Sequence, residues 1–305
     1  MTPPAEPRRL LVIGNPAAGG VDGQTCEKVL ATLADDADVL ACDVAEPGDL
    51  GRILGEHPGR IPVVLGGDGT VHAVVAALLA RDELATRPIG LVPLGTGNDL
   101  ARALGIPLDP RAAAQAVARG RERALDLLVD GEGGIVVNAV HVGVGARASE
   151  QAAALKPVLR RAAYAVGALL AGARTRGWRL RVRVDDELVS DGRRRVLMVG
   201  VGNGVSIGGG TPLAPHARPD DGLADVFVSY AVSPLARLAF GALLRRGKHP
   251  ERGDVLTVRG TTITVEGEPV PANADGELSP PAPRRTWTLH PAAWRVIVPA
   301  EEPTG

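Results

Sequence analysis

The sequence predicts an α/β domain followed by a β-rich domain: a doubly wound, Rossmann-like parallel sheet, then an antiparallel β-sandwich. In the first 122 residues, short apolar strands alternate with helical segments, which is typical of a parallel sheet covered by helices. From about residue 123, strands such as Trp178–Val184 alternate polar and apolar residues, as antiparallel strands with one solvated face do. The predicted domains are therefore residues 1–122 and 123–291. The last strand, within 292–305, is expected to return to the first domain.

The elements of the first domain follow one another in strand–helix order. Each strand is a short apolar run that ends in a turn, and Asp49 is expected to cap the helix that it begins. The predicted strands are 9–13, 38–44, 61–65 and 89–94, and the predicted helices are 27–34, 49–56, 71–79, 100–104 and 111–119.

The second domain is predicted to be mostly strands, interrupted by two helices at 156–173 and 234–246. The first of these helices is apolar with arginines at both ends, which suits either an amphipathic core helix or a membrane-facing one. The predicted strands are 124–130, 134–140, 179–184, 195–202, 223–229, 255–259, 261–266, 286–290 and 294–298.

Composition excludes several functional classes. The net charge is −1, which does not favour a nucleic-acid partner, although residues 1–130 carry −6 and the remainder +5. Cys26 and Cys42 lack metal-site spacing and are expected to be ordinary thiols of a cytoplasmic protein. The N-terminus lacks the apolar core of a signal peptide. The best apolar segment, 162–173, falls short of the ~20 residues of a membrane span, so no transmembrane segment is expected.

Two glycine-rich turns are the most informative motifs. They lie about 30 residues apart, the length of one βαβ unit, and each joins an apolar strand to a helix. Glycine lets a backbone approach a ligand closely, and a helix start presents free N–H groups, so such turns suit phosphate. A single turn of this kind can be purely structural, but two at one sheet edge favour a nucleotide phosphate site. The candidate contacts are Gly66, Gly67, Asp68, Gly69, Thr70, Gly95, Thr96, Gly97 and Asn98.

The charged residues of these turns allow different interpretations. A carboxylate at Asp68 has no evident structural role there, so it is interpreted as a Mg²⁺ ligand, directly or through water. Asp99 is interpreted either as a ligand contact or as a helix-start residue that interacts with the dipole. Arg102 is interpreted as a surface residue, with a phosphate contact as the alternative.

The ordered set of motifs resembles the diacylglycerol kinase catalytic family, which includes bacterial lipid kinases and sphingosine kinases. Each motif alone is weak, and Gly-Gly-Asp-Gly-Thr also occurs in NAD kinases, but together they span nearly the whole chain. The matching pieces are Asn15-Pro16, 66–70, 93–99, Gly202-Asn203-Gly204, Gly208-Gly209-Gly210 with Pro215, 220–223, and Asp275-Gly276-Glu277.

The resemblance implies ATP and Mg²⁺ as cofactors, with ATP in the cleft between the two domains and a lipid substrate held by the β-sandwich. It implies that Glu277 is the general base for the lipid hydroxyl and that Asp275 holds Glu277 or the metal. On the residues alone, Asp-Gly is also a common hairpin turn. It further implies a phosphate-side contact for Asn15. The acidic loop must then face the glycine turns across the cleft.

A second Mg²⁺ site is implied by resemblance at Asp221, with the carbonyls of Arg218 and Leu223 as helpers; a β-turn without metal is the alternative. His72 and Val44 depart from residues with which relatives touch the nucleotide.

The predicted function is phosphorylation of a lipid alcohol, with diacylglycerol as the leading substrate, by a cytoplasmic protein peripheral to the inner membrane face; a homodimer is left open. The alternatives are a kinase of a sphingoid base or of NAD, the latter disfavoured by the second motif, and a nucleotide-binding regulator. The intact Asp68, Asp275 and Glu277 argue against a degenerate site.

Overall fold

The structure is a computed structural model that describes residues 7–14, 23–44, 48–146 and 176–300. The chain divides into two compact units. Unit 1 comprises Met1–Leu125 and Ala292–Gly305, and unit 2 comprises Asp126–Pro291.

Unit 1 contains a four-stranded parallel sheet, as predicted. Its order, β2-β1-β3-β4, places β1 and β3 side by side at the point where the winding direction reverses. The strands are β1 (Arg8–Gly14), β2 (Ala37–Asp43), β3 (Ile61–Gly66) and β4 (Gly90–Pro93). The helices are α1 (Gly23–Ala34), α2 (Asp49–Glu56), α3 (Asp68–Leu79), α4 (Asp99–Ala103) and α5 (Pro110–Arg119).

Strands β1, β3 and β4 are mostly buried, which is why they are continuous apolar runs, whereas β2 at the edge of the sheet is only half-buried. Leu10, Leu11 and Val12 are each at most 2% exposed. Ile89, which directly precedes β4, forms an isolated parallel β-bridge with Val296. The prediction that Asp49 caps α2 is wrong, because Gly48 is the N-cap and no side chain caps it.

Unit 2 is built from antiparallel strands, again as predicted. Ten strands form one hydrogen-bonded network, with the path β12-β11-β10-β7-β13-β14-β5-β6 and with β8 joining β13 to β9. They are β5 (Arg121–Asp130), β6 (Ile135–Val136), β7 (Ala139–Gly143), β8 (Trp178–Val184), β9 (Glu187–Val196), β10 (Met198–Gly202), β11 (Ala224–Ser229), β12 (Val255–Gly260), β13 (Thr262–Ala274) and β14 (Glu277–Val298). Two of them cross the bounds of unit 2, since β5 begins before Asp126 and β14 ends after Pro291. The described part of the unit also contains helix α6 (Pro234–Leu244) and a short 3-10 turn (His249–Glu251).

Some strands of unit 2 differ from their predicted bounds. Segment 134–140 is divided between β6 and β7, and 195–202 between β9 and β10. The beginning of β9 is largely solvated and has register shifts against β8. Its sequence therefore lacks the regular polar–apolar alternation from which a strand is predicted. In β13 the register shifts fall between Glu266 and Ala272, the stretch that contains two prolines. The predicted helix 156–173 lies outside the described residues.

The sandwich core and a second apolar cluster lie on opposite faces of β7, β10 and β11. Val140, Val199 and Val226 belong to the core between the two layers. Phe227 and Phe240 belong to the second cluster, which α6 covers. A cavity of about 260 Å³ opens beside this cluster, lined in part by Leu213, Pro215, Phe227, His249, Thr257 and Val258. Within the described ranges, no helix has the length and hydropathy needed to span a bilayer.

Two histidines are buried in unit 2. His249 is fully buried, with its ring centroid 4.8 Å from that of Phe227 and 5.8 Å from that of Phe240. Burial lowers the pKa of His249 to about 4, and it lowers the pKa of His141 on β7 to about 4 as well. Both imidazoles are therefore neutral at pH 7 in the folded protein.

Acidification is expected to destabilise unit 2 between pH 6.5 and pH 4. In that window the unfolded chain protonates His249 and the folded chain does not, so the free energy of unfolding falls as the pH falls, by roughly 3 kcal/mol for His249. Urea unfolding at pH 7 and pH 4.5 measures this loss. His249→Phe keeps a ring in the aromatic cluster and should reduce the pH-dependent loss, while His141 and Asp254, whose pKa the hydrogen bond from Arg252 lowers, keep their shares of it. An unchanged loss in the variant would contradict the assignment.

Candidate functional site

The first glycine turn joins β3 to α3 and leaves backbone N–H groups open. β3 ends at Gly66, Gly67 is the N-cap, and Asp68 begins the helix. The N–H groups of Asp68 and Gly69 make no hydrogen bond with other described residues, and they lie at the positive end of a 12-residue helix. A Cβ on Gly69 would meet nothing within 4 Å. This helix start can therefore receive an anion.

The second glycine turn lies directly beside the first. A Cβ on Gly95 would lie 2.5 Å from the Cα of Gly67, so neither backbone leaves room for a side chain between them. The Leu94 N–H donates to the Gly66 carbonyl at 2.9 Å. The two motifs thus form one continuous edge at the carboxyl ends of β3 and β4.

Asp68 has a structural role that the sequence did not reveal. Its carboxylate accepts hydrogen bonds from the N–H groups of Asp99 and Leu100, both at 3.1 Å. Asp68, in the first turn of α3, thereby caps the start of α4. The sequence-based argument that a carboxylate at this position has no structural role is wrong. Its assignment as a Mg²⁺ ligand stays a prediction, and each oxygen keeps a lone pair for it.

Some polar side chains of the two turns bond within the protein, and others have no partner among the described residues. The Asn98 amide closes its own turn, accepting from Gly95 N–H at 3.1 Å and donating to the Gly95 carbonyl at 2.8 Å, with φ of 53°. The Thr70 and Thr96 hydroxyls have no partner within the described ranges, so they are available to a ligand. Arg102 is exposed and contacts the Gly97 carbonyl. The predicted contact Asn15 lies outside the described residues.

Gly95→Ala is expected to lower the free energy of unfolding by about 1–3 kcal/mol and to weaken ATP binding, because the new methyl group overlaps the backbone of Gly67. Urea unfolding and calorimetric titration with ATP measure the two effects. Gly69→Ala is the matched control for stability, since its methyl group enters open space on a helix. Equal stability of the two variants would show that the turns do not touch as described.

In unit 2, Asp275 and Gly276 form the two-residue turn between β13 and β14. Both have positive φ, 48° and 97°, as a type I′ hairpin turn requires, and Ala274 pairs with Glu277 across it. The alternative that Asp-Gly is a hairpin turn is therefore confirmed for the local structure. It leaves the role of the neighbouring carboxylates open.

The Asp275 carboxylate binds the backbone of a neighbouring segment. It accepts hydrogen bonds from the N–H groups of Val137, Asn138 and Ala139, at 2.6, 2.9 and 3.0 Å. These bonds fix the hairpin against the segment between β6 and β7. Asp275 is thus placed to position the turn.

Glu277 is the free carboxylate of the hairpin. Its side chain is exposed and makes no ion pair or hydrogen bond with the residues described. The turn beneath it is held by Asp275 and by Asn273, whose side-chain oxygen accepts from Gly276 N–H at 3.0 Å. A carboxylate that is free, on a fixed support, can accept a proton from a substrate.

The predicted second metal site at Asp221 contains an arginine. Arg259 bonds to the Asp221 carboxylate and, at 3.1 Å, to that of Asp225. Burial raises the pKa of Asp225, while Arg259 favours its charged form. Within the described ranges, no three His, Cys, Asp or Glu side chains gather in a way that could hold a metal. Because a guanidinium neutralises these carboxylates, the described geometry does not fit a cation held by Asp221, Arg218 and Leu223.

Two buried polar residues behind these sites were not predicted. Asp126 is 2% exposed, and its carboxylate accepts from Gly222 N–H at 2.7 Å. The Asn203 amide donates to the carbonyls of Asp126 and Val137, at 3.0 and 2.9 Å. The only sequence signal was a polar residue inside a strand for Asp126 and the Gly-Asn-Gly motif for Asn203.

Comparisons with known proteins match both units. The model of the diacylglycerol kinase catalytic domain matches residues 9–129, and that of the YegS C-terminal NAD kinase beta sandwich-like domain matches residues 138–298. A probable lipid kinase YegS-like from Pseudomonas aeruginosa is 35% identical over 96% of this chain and 95% of its own. A diacylglycerol kinase from Mycobacterium tuberculosis is 31% identical over 78% of this chain and 76% of its own.

A solved structure shares the fold. The crystal structure of a putative diacylglycerol kinase from Bacillus anthracis aligns with a TM-score of 0.78 over 95% of both chains, at 23% identity. At that identity the likeness concerns the architecture alone: a parallel sheet with helices, then an antiparallel β-sandwich.

Proposed function

This chain belongs to the diacylglycerol kinase family, and from that premise we propose that it is an ATP-dependent lipid kinase. It would transfer the γ-phosphoryl group of ATP to the hydroxyl of a lipid alcohol, with diacylglycerol as the leading substrate. The observation that carries the proposal is the pair of touching glycine turns beside the open start of α3. We place the protein, as a proposal, at the inner face of the membrane.

The nucleotide phosphates are proposed to bind at the glycine turns. The N–H groups of Asp68 and Gly69 and the hydroxyls of Thr70 and Thr96 are donors there that no other described residue uses. Gly66, Gly67, Gly95 and Gly97 allow a close approach of the backbone, and Asn98 holds its turn in shape. Asn15 remains a proposed contact on sequence grounds.

Mg²⁺ is proposed to accompany the nucleotide. Asp68 is the residue that would hold it, through the lone pairs that its two backbone hydrogen bonds leave free. When bound, the ion neutralises charge on the phosphates, and one protein carboxylate plus substrate oxygens is a common way of binding it.

Glu277 is proposed as the general base. Its carboxylate would take the proton of the lipid hydroxyl while the oxygen forms a bond to the γ-phosphorus and the bond from that phosphorus to the bridging oxygen breaks, which releases ADP. Asp275 would act through the hairpin that it fixes. The apolar cavity beside Phe227 is a candidate place for part of the lipid chain.

The purified protein, incubated with radiolabelled ATP, Mg²⁺ and diacylglycerol, sphingosine or NAD in separate reactions, tests the proposal. We expect the label in phosphatidic acid. Label only in sphingosine phosphate would reassign the substrate to a sphingoid base, and label only in NADP would make the protein an NAD kinase. ATP binding without any labelled product would leave a nucleotide-binding regulator and overturn the kinase proposal.

A further inference from the structure

Helix α6 of unit 2 is apolar on two opposite faces. Its inner face packs Phe240, 3% exposed, against Phe227 and His249. Its outer face carries Leu235, 80% exposed, and Leu238, 48% exposed. A helix that already buries one apolar face does not need a second for its own packing.

The outer face is a continuous stripe. Leu235, Leu238, Ala239 and Ala242 are all exposed, and their spacing of three and four residues places them on one side of the helix. Isolated leucines on a protein surface are ordinary, but a row of apolar side chains along a helix indicates an interaction surface.

Three cations follow the stripe. Arg245, Arg246 and Lys248 lie directly after the end of α6 at Leu244, are exposed, and make no ion pair with a carboxylate in the described part of the chain. The carboxylate of Glu251, the next acidic residue along the chain, forms no ion pair with these three cations. The cations are therefore available to an external anionic partner.

We infer that the outer face of α6 docks on an anionic lipid bilayer. Leucines on one side of a helix with arginine and lysine beside them are typical of a helix that lies in the membrane interface, where the apolar side chains enter the acyl region and the cations bind headgroup phosphates. The inference goes beyond the proposed kinase activity, since it assigns the surface that contacts the membrane and needs no turnover.

A second cationic surface in unit 2 provides a comparison. Arg179 and Arg183 on β8 are exposed and have no ion pair with other described residues. Carboxylates such as Glu266, which pairs with Arg181 and Arg284, intersperse that sheet face. Leu188, 44% exposed, pairs with Arg183 across the strands and so lies on this face. This β8 surface has cations but no row of exposed apolar side chains, so we expect it to bind a lipid bilayer weakly at most.

Vesicle flotation of the full chain without nucleotide tests the inference. The vesicles are phosphatidylcholine alone and phosphatidylcholine mixed with phosphatidylglycerol. Binding should require phosphatidylglycerol and weaken with salt. Leu235→Ser with Leu238→Ser should reduce the partition coefficient at least about tenfold, and neutralising Arg245, Arg246 and Lys248 with glutamine should cost about fivefold each.

The matched controls are Leu188→Ser and the pair Arg179→Gln with Arg183→Gln, which should change binding less than about twofold. Because Leu235 and Leu238 are exposed, their serine variants should keep the wild-type melting temperature. Wild-type vesicle binding by the α6 leucine variant, or loss of binding by the β8 variant alone, would overturn the inference. A protein that binds no vesicles but forms a dimer would also overturn the inference if Leu235→Ser dissociates that dimer. In that case a second copy of the chain would cover the stripe. Docking without phosphorylation of any lipid would instead contradict the proposed function and support this inference.

Discussion

Glu277→Gln is expected to lower kcat by at least about 10²-fold and to leave ATP affinity and stability unchanged. Glutamine keeps the size and the exposed position of the side chain but cannot accept the proton of the lipid hydroxyl, and loss of a general base typically costs 10²–10⁴-fold. The Glu277 carboxylate has no partner within the described ranges, so its replacement breaks no contact there that supports the fold. The substitution therefore separates chemistry from folding.

Steady-state phosphorylation with radiolabelled ATP gives kcat, and calorimetric titration gives the ATP dissociation constant. Glu187→Gln is the matched control, because Glu187 is another exposed carboxylate of unit 2, at the start of β9. Its kcat should equal that of the wild type. A Glu277→Gln enzyme that turns over at the wild-type rate would remove Glu277 from the base role.

The parts of the molecule with a local sequence signal were predictable. Strands β3 and β4 of unit 1 are uninterrupted apolar runs because both of their faces are buried, and the glycines that follow them mark the turns. The Asp275-Gly276 hairpin turn was also predictable from local sequence, because aspartate and glycine are residue types that adopt the positive φ values that such a turn needs.

The contacts that organise the site have no such signal. Asp68 caps a helix that begins 31 residues later, and Arg259 binds a carboxylate 38 residues before it. Nothing local distinguishes such an aspartate from a metal ligand, because both uses need a carboxylate that points out of a turn. The same limit applied to β9, whose solvated residues and register shifts hide its alternation. Family resemblance supplied roles for these residues, and only the fold shows which partners they have.

Asp275→Ala is expected to destabilise unit 2 by at least about 3 kcal/mol. The aspartate gives three backbone N–H groups their acceptor, and a hydrogen bond to a charged group contributes about 1.5–3 kcal/mol. Alanine would leave these donors without a protein acceptor, and it also tolerates the left-handed conformation at φ 48° less well than aspartate does. Urea unfolding at pH 7 measures the loss.

Asp275→Asn is the informative companion, because asparagine tolerates positive φ and keeps one acceptor oxygen. It should cost less than alanine, and it should retain more activity, if Asp275 acts by positioning the hairpin. Were Asp275 instead a direct participant in catalysis, both substitutions would abolish turnover alike while the stability changed by less than about 1 kcal/mol. Loss of turnover without loss of stability in Glu277→Gln, together with loss of stability in Asp275→Ala, would show that the two carboxylates have different roles. Asp275 would then support the hairpin, and Glu277 would act on the substrate.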